Sequence, residues 1–201
     1  MKTTPPRWAE VVLRLFLKPA DVDDVSGDLL EAYRDSIRPI RWQRAADIWY
    51  VTQVLDFVWH SSRRWAVFLA AAFVIRTALD WFVPPPDFHV RSMASTMAAA
   101  GLLVAVGIGA AWRSGSVAAG TITGAATAAI GAGMSAVSAA GMFAIWHDAE
   151  TMAAIRSSGG LGEVFVLPVL LIIPAVVLGT LGGIVGAAIR RFGRCSEMRP
   201  Q

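Results

Sequence analysis

The uncharged stretch of residues 164–189, VFVLPVLLIIPAVVLGTLGGIVGAAI, decides the fold of this chain. It lies between Glu163 and Arg190 and holds 26 residues. A helix that crosses the hydrocarbon core of a bilayer, about 30 Å thick, needs roughly 20 residues at about 1.5 Å each. The stretch therefore predicts a membrane-spanning helix, with a kink at Pro168 and Pro174.

Three further spans follow from the same criterion. Residues 92–112 and 114–147 are charge-free gaps of 21 and 34 residues. Residues 65–83 are equally apolar apart from Arg76 and Asp80. We predict four transmembrane helices, near residues 65–83, 93–112, 118–143 and 164–189.

Charge density divides the chain into two parts. Residues 1–64 hold 10 Lys or Arg and 9 Asp or Glu, whereas residues 65–201 hold 8 and 6. This pattern, with a mean hydropathy of +0.53, argues against a soluble enzyme or a disordered tail. The fold class is all-α: a cytoplasmic three-helix domain at residues 1–62, a four-helix transmembrane bundle at 63–192, and a cytoplasmic tail at 193–201.

The arginines near the span ends indicate the orientation, because cytoplasmic loops collect the excess of positive charge. The outer side of the membrane receives only Arg91 and Arg156. We expect a multi-pass protein of the bacterial inner membrane with both termini in the cytoplasm. The net charge of +3 records this topology and gives no evidence for nucleic-acid binding. The arginines assigned to the cytoplasmic side are Arg63, Arg64, Arg113, Arg190, Arg191, Arg194 and Arg199.

Arg76 and Asp80 are the charges inside the predicted spans. Their i, i+4 spacing places both on one helix face, where an ion pair lowers the cost of burying either charge. The favoured interpretation is a pair that reaches toward the outer headgroups. An intramembrane relay or ligand site is the alternative, and it would suit a small transporter or a channel-like subunit.

Small residues recur at close spacing in the third and fourth spans and favour close approach of helix backbones. Packing within the four-helix bundle is the favoured interpretation. A seam for a homo-oligomer and a pore lining are the alternatives. The glycines concerned are Gly120, Gly124, Gly179, Gly182, Gly183 and Gly186.

Three helical patterns fill residues 5–62. The first places Trp8, Val11, Val12, Leu15 and Phe16 on one face. The second places Val22, Val25, Leu29, Tyr33 and Ile37 on one face, with Asp21 as its N-cap. The third begins near residue 41 and continues without a break into the first span; its predicted face includes Trp42, Ala45, Ile48, Trp49, Thr52, Leu55 and Trp59.

The second helix also carries charges on its exposed face. A docking face for a protein partner and a merely solvated face both fit this pattern. Gly27 costs helix stability, so we expect it to allow close approach of the first or third helix. The aromatic residues of the third helix either form the core of the domain or lie on the inner leaflet. The predicted partner-binding residues are Gly27, Asp28, Glu31, Arg34, Trp49 and Tyr50.

The sequence contains no constellation that indicates catalysis. His60, His89 and His147 are far apart, and none has a His or Cys neighbour at ligand spacing. The single cysteine, Cys195, excludes an internal disulfide. We expect neither an enzyme nor a metal or cofactor site.

The N-terminal part resembles a known family. Four runs carry the resemblance: PPRWAE at 5–10, LRLFL at 13–17, GDLLEAYR at 27–34 and IWYVTQVL at 48–55. Together they are similar to the permease prefix domain, which precedes the permease core of large ABC-type export permeases, chiefly from acidobacteria and their relatives. The resemblance covers roughly residues 5–65.

The resemblance implies association with a transport system rather than transport itself. The similar permeases carry a large periplasmic domain that this sequence lacks, and it contains no phosphate-binding loop ending in Lys-Ser or Lys-Thr. What carries over is an adaptor or regulatory role of the cytoplasmic helices. The implied partners are a permease, an ATPase subunit or a transcription regulator, besides the lipid bilayer.

Overall fold

The computed structural model describes residues 4–17, 20–83, 87–158 and 160–197, the side chains of 194–197 excepted. This part of the chain is helical and contains no strand. A π-helical turn, Ala32–Ile37, continues α2 directly. The helices are α1 (Arg7–Phe16), α2 (Val22–Glu31), α3 (Gln43–Phe82), α4 (Phe88–Ser114), α5 (Val117–Ile145), α6 (Ala149–Ser157), α7 (Gly160–Leu170) and α8 (Ile172–Glu197).

Four helices in the described residues are long and apolar enough to cross a membrane. They are α3, α4, α5 and the pair α7 and α8, and they contain the four predicted spans except for residue 83. The chain is therefore a multi-pass membrane protein. α8 packs along α4 and α5, and α3 packs along α5. Leu69, Phe73, Leu103, Ala128 and Ala175 lie at the centre of the bundle.

The break between α7 and α8 lies at Leu171. Pro174 explains it, because proline has no N–H for the carbonyl of Leu170 and its ring clashes with that carbonyl. Pro168 lies buried inside α7. The kink that the two prolines predict is thus a one-residue interruption of the fourth span.

The N-terminal unit matches the predicted three-helix domain only loosely. Its third helix is the first part of α3, which runs on for 40 residues into the bundle. α1 and the π-helical turn pack against this part, α2 packs against α1, and together they form a small core around Leu13, Tyr33 and Tyr50. α1 also contacts α4 and α5. The predicted boundary at residue 62 therefore lies inside a continuous helix.

The buried faces of α1 and α3 differ from the predicted ones. In α1 the buried residues are Ala9 and Leu13, whereas Trp8 is 57% exposed. In α3 Ala46 and Tyr50 are buried, whereas Ile48 is 65% exposed. The face predicted for α2 does lie on the core. Its N-cap does not behave as predicted, because the side chain of Asp21 makes no capping hydrogen bond.

The glycines of the packing motif lie between helices of the same chain. A Cβ on Gly120 would lie 2.8 Å from the Cα of Gly183, and one on Gly124 would lie 3.0 Å from the Cα of Gly179. A Cβ on Gly182 or Gly186 would overlap carbonyl oxygens of α4. These distances place α4, α5 and α8 in backbone contact, as small residues allow in membrane helices.

Candidate functional site

Arg76 and Asp80 lie near the end of α3 and form an ion pair. The Nε of Arg76 is 3.4 Å from the Oδ2 of Asp80. Arg76 is 8% exposed and Asp80 is 5% exposed. Burial of an isolated charge is costly, so such residues keep their charge only when partners compensate it. The pair is therefore buried within the protein, and its reach toward the outer headgroups stays a prediction.

Two further charged residues complete the cluster. The Nη1 of Arg91 on α4 donates to the Oδ1 of Asp80 at 3.0 Å. The Nη2 of Arg76 donates a hydrogen bond to the Oε1 of Glu163 on α7. Two arginines and two carboxylates thus alternate along one chain of contacts, and their formal charges cancel. We name Arg76, Asp80, Arg91 and Glu163 the ion-pair cluster.

Polar and aromatic neighbours hold the cluster in place. Arg76 also donates to the hydroxyl of Ser92 at 3.4 Å, and the ring of Phe88 lies 5.6 Å from the guanidinium carbon. Arg91 donates a second bond to the carbonyl of Val83 at 3.0 Å. Contacts of a cation with a ring face and with carbonyl oxygens add to the ion pairs. The cluster therefore joins the ends of α3, α4 and α7.

Arg91 and Glu163 were missed in the sequence because each lies just outside a predicted span. The spans near 93–112 and 164–189 begin one or two residues later. The sequence assigned Arg91 to the outer side, and in the same four-span topology Glu163 and the Asp80 end of the first span lie on that side. In a sequence, such ion-pair partners can be identified as oppositely charged residues at the ends of two spans on the same side of the membrane.

A cavity of about 20 Å³ lies beside the cluster, lined by Phe73, Thr77, Trp81 and Pro168 among others. Trp81 is 3% exposed, and its Nε1 has no hydrogen-bond acceptor among the described residues. The same holds for the Nε of Arg76, whose contact with Asp80 lacks hydrogen-bond geometry. A volume of this size accommodates about one water molecule. A larger solute does not fit.

The predicted partner-binding residues do not form one surface. Gly27, Asp28, Glu31 and Arg34 are exposed, and Trp49 is half-buried against the core. Tyr50 is fully buried, so its assignment to a docking face is wrong. The expectation for Gly27 is also wrong, since a Cβ there would meet no described atom within 4 Å. Asp28 and Glu31, with Arg34 on the π-helical turn, are exposed charged residues, and we call these three the charged face of α2.

Tyr33 and Tyr50 form the polar part of the N-terminal core. Their rings meet edge to face with centroids 5.8 Å apart, and the Tyr33 hydroxyl donates to the Oδ1 of Asp47 at 2.6 Å. Burial, followed by this hydrogen bond, raises the pKa of Tyr33 to about 12. The aromatic residues nearest to the start of α3 therefore belong partly to the core, while Trp42 points outward.

No group of three His, Cys, Asp or Glu side chains that could hold a metal ion occurs in the part of the chain that the structure describes. His89 and His147 are both exposed. Cys195 and the arginines at 194 and 199 lie outside the described side chains.

Comparison of the chain with protein-family models, with curated proteins and with solved structures found no match. The resemblance of residues 5–65 to the permease prefix domain therefore stays a prediction, as do the partners that it implies. A function for the chain has to come from its own residues.

Proposed function

We propose that this chain is a non-enzymatic protein of the bacterial inner membrane, with both termini in the cytoplasm, whose N-terminal helical unit serves as an adaptor or regulatory component beside a transport system. The unit would bind a permease, an ATPase subunit or a transcription regulator through the charged face of α2.

The observation that carries the proposal is the continuity of α3. The same helix supplies Ala46 and Tyr50 to the core of the N-terminal unit and Leu69 and Phe73 to the core of the bundle. A unit fixed in this way stays at one end of the bundle and holds a constant orientation. That arrangement suits a protein that presents a binding surface at the membrane.

The charged face of α2 supports the choice of binding surface. Asp28, Glu31 and Arg34 are exposed, and none of them forms an ion pair within the described residues. Charged side chains that form no ion pair within the chain can pair with opposite charges on a partner and so select that partner. Substitutions there leave the core intact, so they test binding without unfolding the unit.

The test is photo-crosslinking of the full chain in cells, with the reactive side chain at Asp35 beside this face. We expect an adduct with a permease, an ATPase subunit or a regulator, and its loss when Asp28→Lys and Glu31→Lys are combined. The matched control is Glu150→Lys, an exposed change on α6. An adduct that survives the double reversal, or no adduct, would contradict the proposal.

The orientation has its own test. Reporter fusions after residue 88 and after residue 155 should report the outer side, and fusions at both termini the cytoplasm. A cytoplasmic signal at either internal position would overturn the assignment.

The alternative of a small transporter or channel-like subunit finds less support. Arg76 and Asp80 are each paired with a second partner, and the cavity beside them accommodates about one water molecule. Solute flux through vesicles containing the full chain, abolished by Arg76→Gln with Asp80→Asn, would restore this alternative.

A further inference from the structure

A cleft of about 280 Å³ separates the N-terminal unit from the bundle. It lies at the end opposite to the ion-pair cluster, where α4 ends and α5 begins. One part of its lining is aromatic or apolar and the other part is polar and basic. The residues that define it are Phe16, Phe57, His60, Ser61, Arg113 and Ser114.

The turn between α4 and α5 shapes the basic wall of the cleft. Gly115 has a positive φ of 80°, which lets the chain turn directly after α4. The Nη1 of Arg190 on α8 donates to the carbonyl of Arg113 at 2.9 Å. A Cβ at Gly115 would lie 2.6 Å from that Nη1. The guanidinium of Arg190 is therefore held against the turn that follows Arg113.

Positive charge at this end is not compensated by the protein. Arg63, Arg64, Arg113 and Arg191 are exposed. Among the described side chains, neither they nor Arg190 form an ion pair with a carboxylate. At the other end both arginines of the ion-pair cluster have carboxylate partners. The two ends therefore differ in free positive charge: this end has four exposed arginines without a carboxylate partner, whereas near the other end Arg156 is exposed.

Exposed tryptophans lie close in sequence to these arginines. Trp59 on α3 and Trp112 on α4 are 44% and 58% exposed and flank the arginines in sequence. Tryptophan prefers the interface between the hydrocarbon core and the headgroups. Exposed tryptophans and unpaired arginines at one end of a helix bundle are typical of the headgroup region of a membrane.

We propose that this cleft binds one anionic phospholipid. Arg113 contacts the phosphate, His60 and Ser61 supply hydrogen bonds to the headgroup, and Phe16 and Phe57 cover the start of an acyl chain. The proposal commits to a lipid rather than to a free phosphate, because a basic site between membrane helices meets headgroups at high local concentration. It holds whether or not the charged face of α2 binds a protein.

The test uses the purified full chain in a zwitterionic detergent and counts bound lipid by native mass spectrometry. Phosphatidylglycerol is the probe, and phosphatidylcholine with the same acyl chains is the comparison. We expect phosphatidylglycerol to be retained in preference. Arg113→Gln should lower its apparent affinity about fivefold, as expected for one arginine at a headgroup, and Arg113→Lys should restore most of it.

Arg156→Gln is the matched control, because Arg156 is an exposed arginine on α6, near the other end of the bundle. Equal retention of the two lipids, or an Arg113→Gln variant that binds as the wild type does, would overturn the site. Glycerophosphoglycerol and inorganic phosphate, which lack acyl chains, should compete at least tenfold less well than the lipid. If glycerophosphoglycerol or inorganic phosphate competes as well as the lipid does, the cleft binds phosphate groups in general, and the assignment of a lipid is overturned.

Discussion

The guanidinium of Arg76 on α3 donates a hydrogen bond to the carboxylate of Glu163 on α7, although 87 positions separate the two residues. α7 is a short helix, cut from α8 at Leu171, that packs mainly against α5 and makes few backbone contacts with α3. The charge pair therefore supplies a large part of what fixes α7 against the first span.

Glu163→Gln should loosen this attachment. The amide keeps the size of the side chain but loses the charge, so Arg76 is left with Asp80 as its remaining carboxylate. A hydrogen bond to a charged group contributes about 2 kcal/mol, and we expect that loss in the free energy of unfolding measured by SDS titration in mixed micelles. Glu150→Gln, an exposed change, should alter it by less than about 0.5 kcal/mol. Equal stabilities of the two variants would show that the pair does not fix α7.

Gly182→Ala should disturb the packing of α8 against α4. The added methyl group would overlap the carbonyl oxygen of Val104 and lie 3.0 Å from the Ile108 nitrogen. Overpacking of this kind costs about 1–3 kcal/mol, which thermal denaturation in detergent should record as a lower Tm. Gly109→Ala is the control, because no described atom lies within 4 Å of its added Cβ. A lower Tm for both variants would contradict the contact with α4 as the cause of the destabilisation.

The N-terminal unit should lose stability at high pH. Burial raises the pKa of Tyr33 to about 12, whereas an unfolded tyrosine ionises near pH 10. The protonated Tyr33 therefore contributes fully to the free energy of unfolding below about pH 10. This contribution is lost as the pH rises to about 12. The chain has 2 tyrosines, so in a Tyr50→Phe variant tyrosinate absorbance reports Tyr33 alone.

The Tyr50→Phe background is suitable because the Tyr50 hydroxyl has no hydrogen-bond partner among the described residues. Adding Tyr33→Phe should remove the loss of stability between about pH 10 and 12, at a cost near 1 kcal/mol at neutral pH. Titration of Tyr33 near pH 10 in the folded protein would contradict the buried hydrogen bond to Asp47.

The start of α6 should unravel in acid. Asp148 accepts hydrogen bonds from the backbone N–H of Thr151 at 3.0 Å and from its hydroxyl at 2.8 Å. These bonds, the backbone one first, hold the pKa of Asp148 below its usual value. The Asp148 cap therefore stabilises the start of α6 fully above the usual pKa of an aspartate. This stabilisation is lost as the pH falls through the lowered pKa of Asp148. The protection factor for amide exchange at Thr151 should fall there in the wild type and stay constant in Asp148→Asn.

The spans were predictable from the sequence because a charge within hydrocarbon is costly. Long gaps between charged residues therefore mark the helices directly. The buried faces were not predictable in the same way. Lipid-facing residues are as apolar as buried ones, so Phe68 and Ile75 in the first span look like core residues in the sequence and yet are exposed. In this chain alanine and glycine mark many of the buried positions, as Ala46 and Gly120 show.

Half of the ion-pair cluster was predictable. The i, i+4 spacing of Arg76 and Asp80 is local, and a helix fixes their proximity. Arg91 and Glu163 come from other helices, and only the packing of α4 and α7 brings them near. The pairing across helices depends on the tertiary arrangement, which no local pattern contains.

The unbroken course of α3 has a mechanical meaning. Tyr50 and Arg76 are 26 residues apart, which corresponds to about 39 Å of helix, and the segment between them contains neither proline nor glycine. A helix without such hinges tilts or rotates as a rod. Any force that reorients the N-terminal unit is therefore transmitted as torque to the far end of the first span, where it acts on four paired charges.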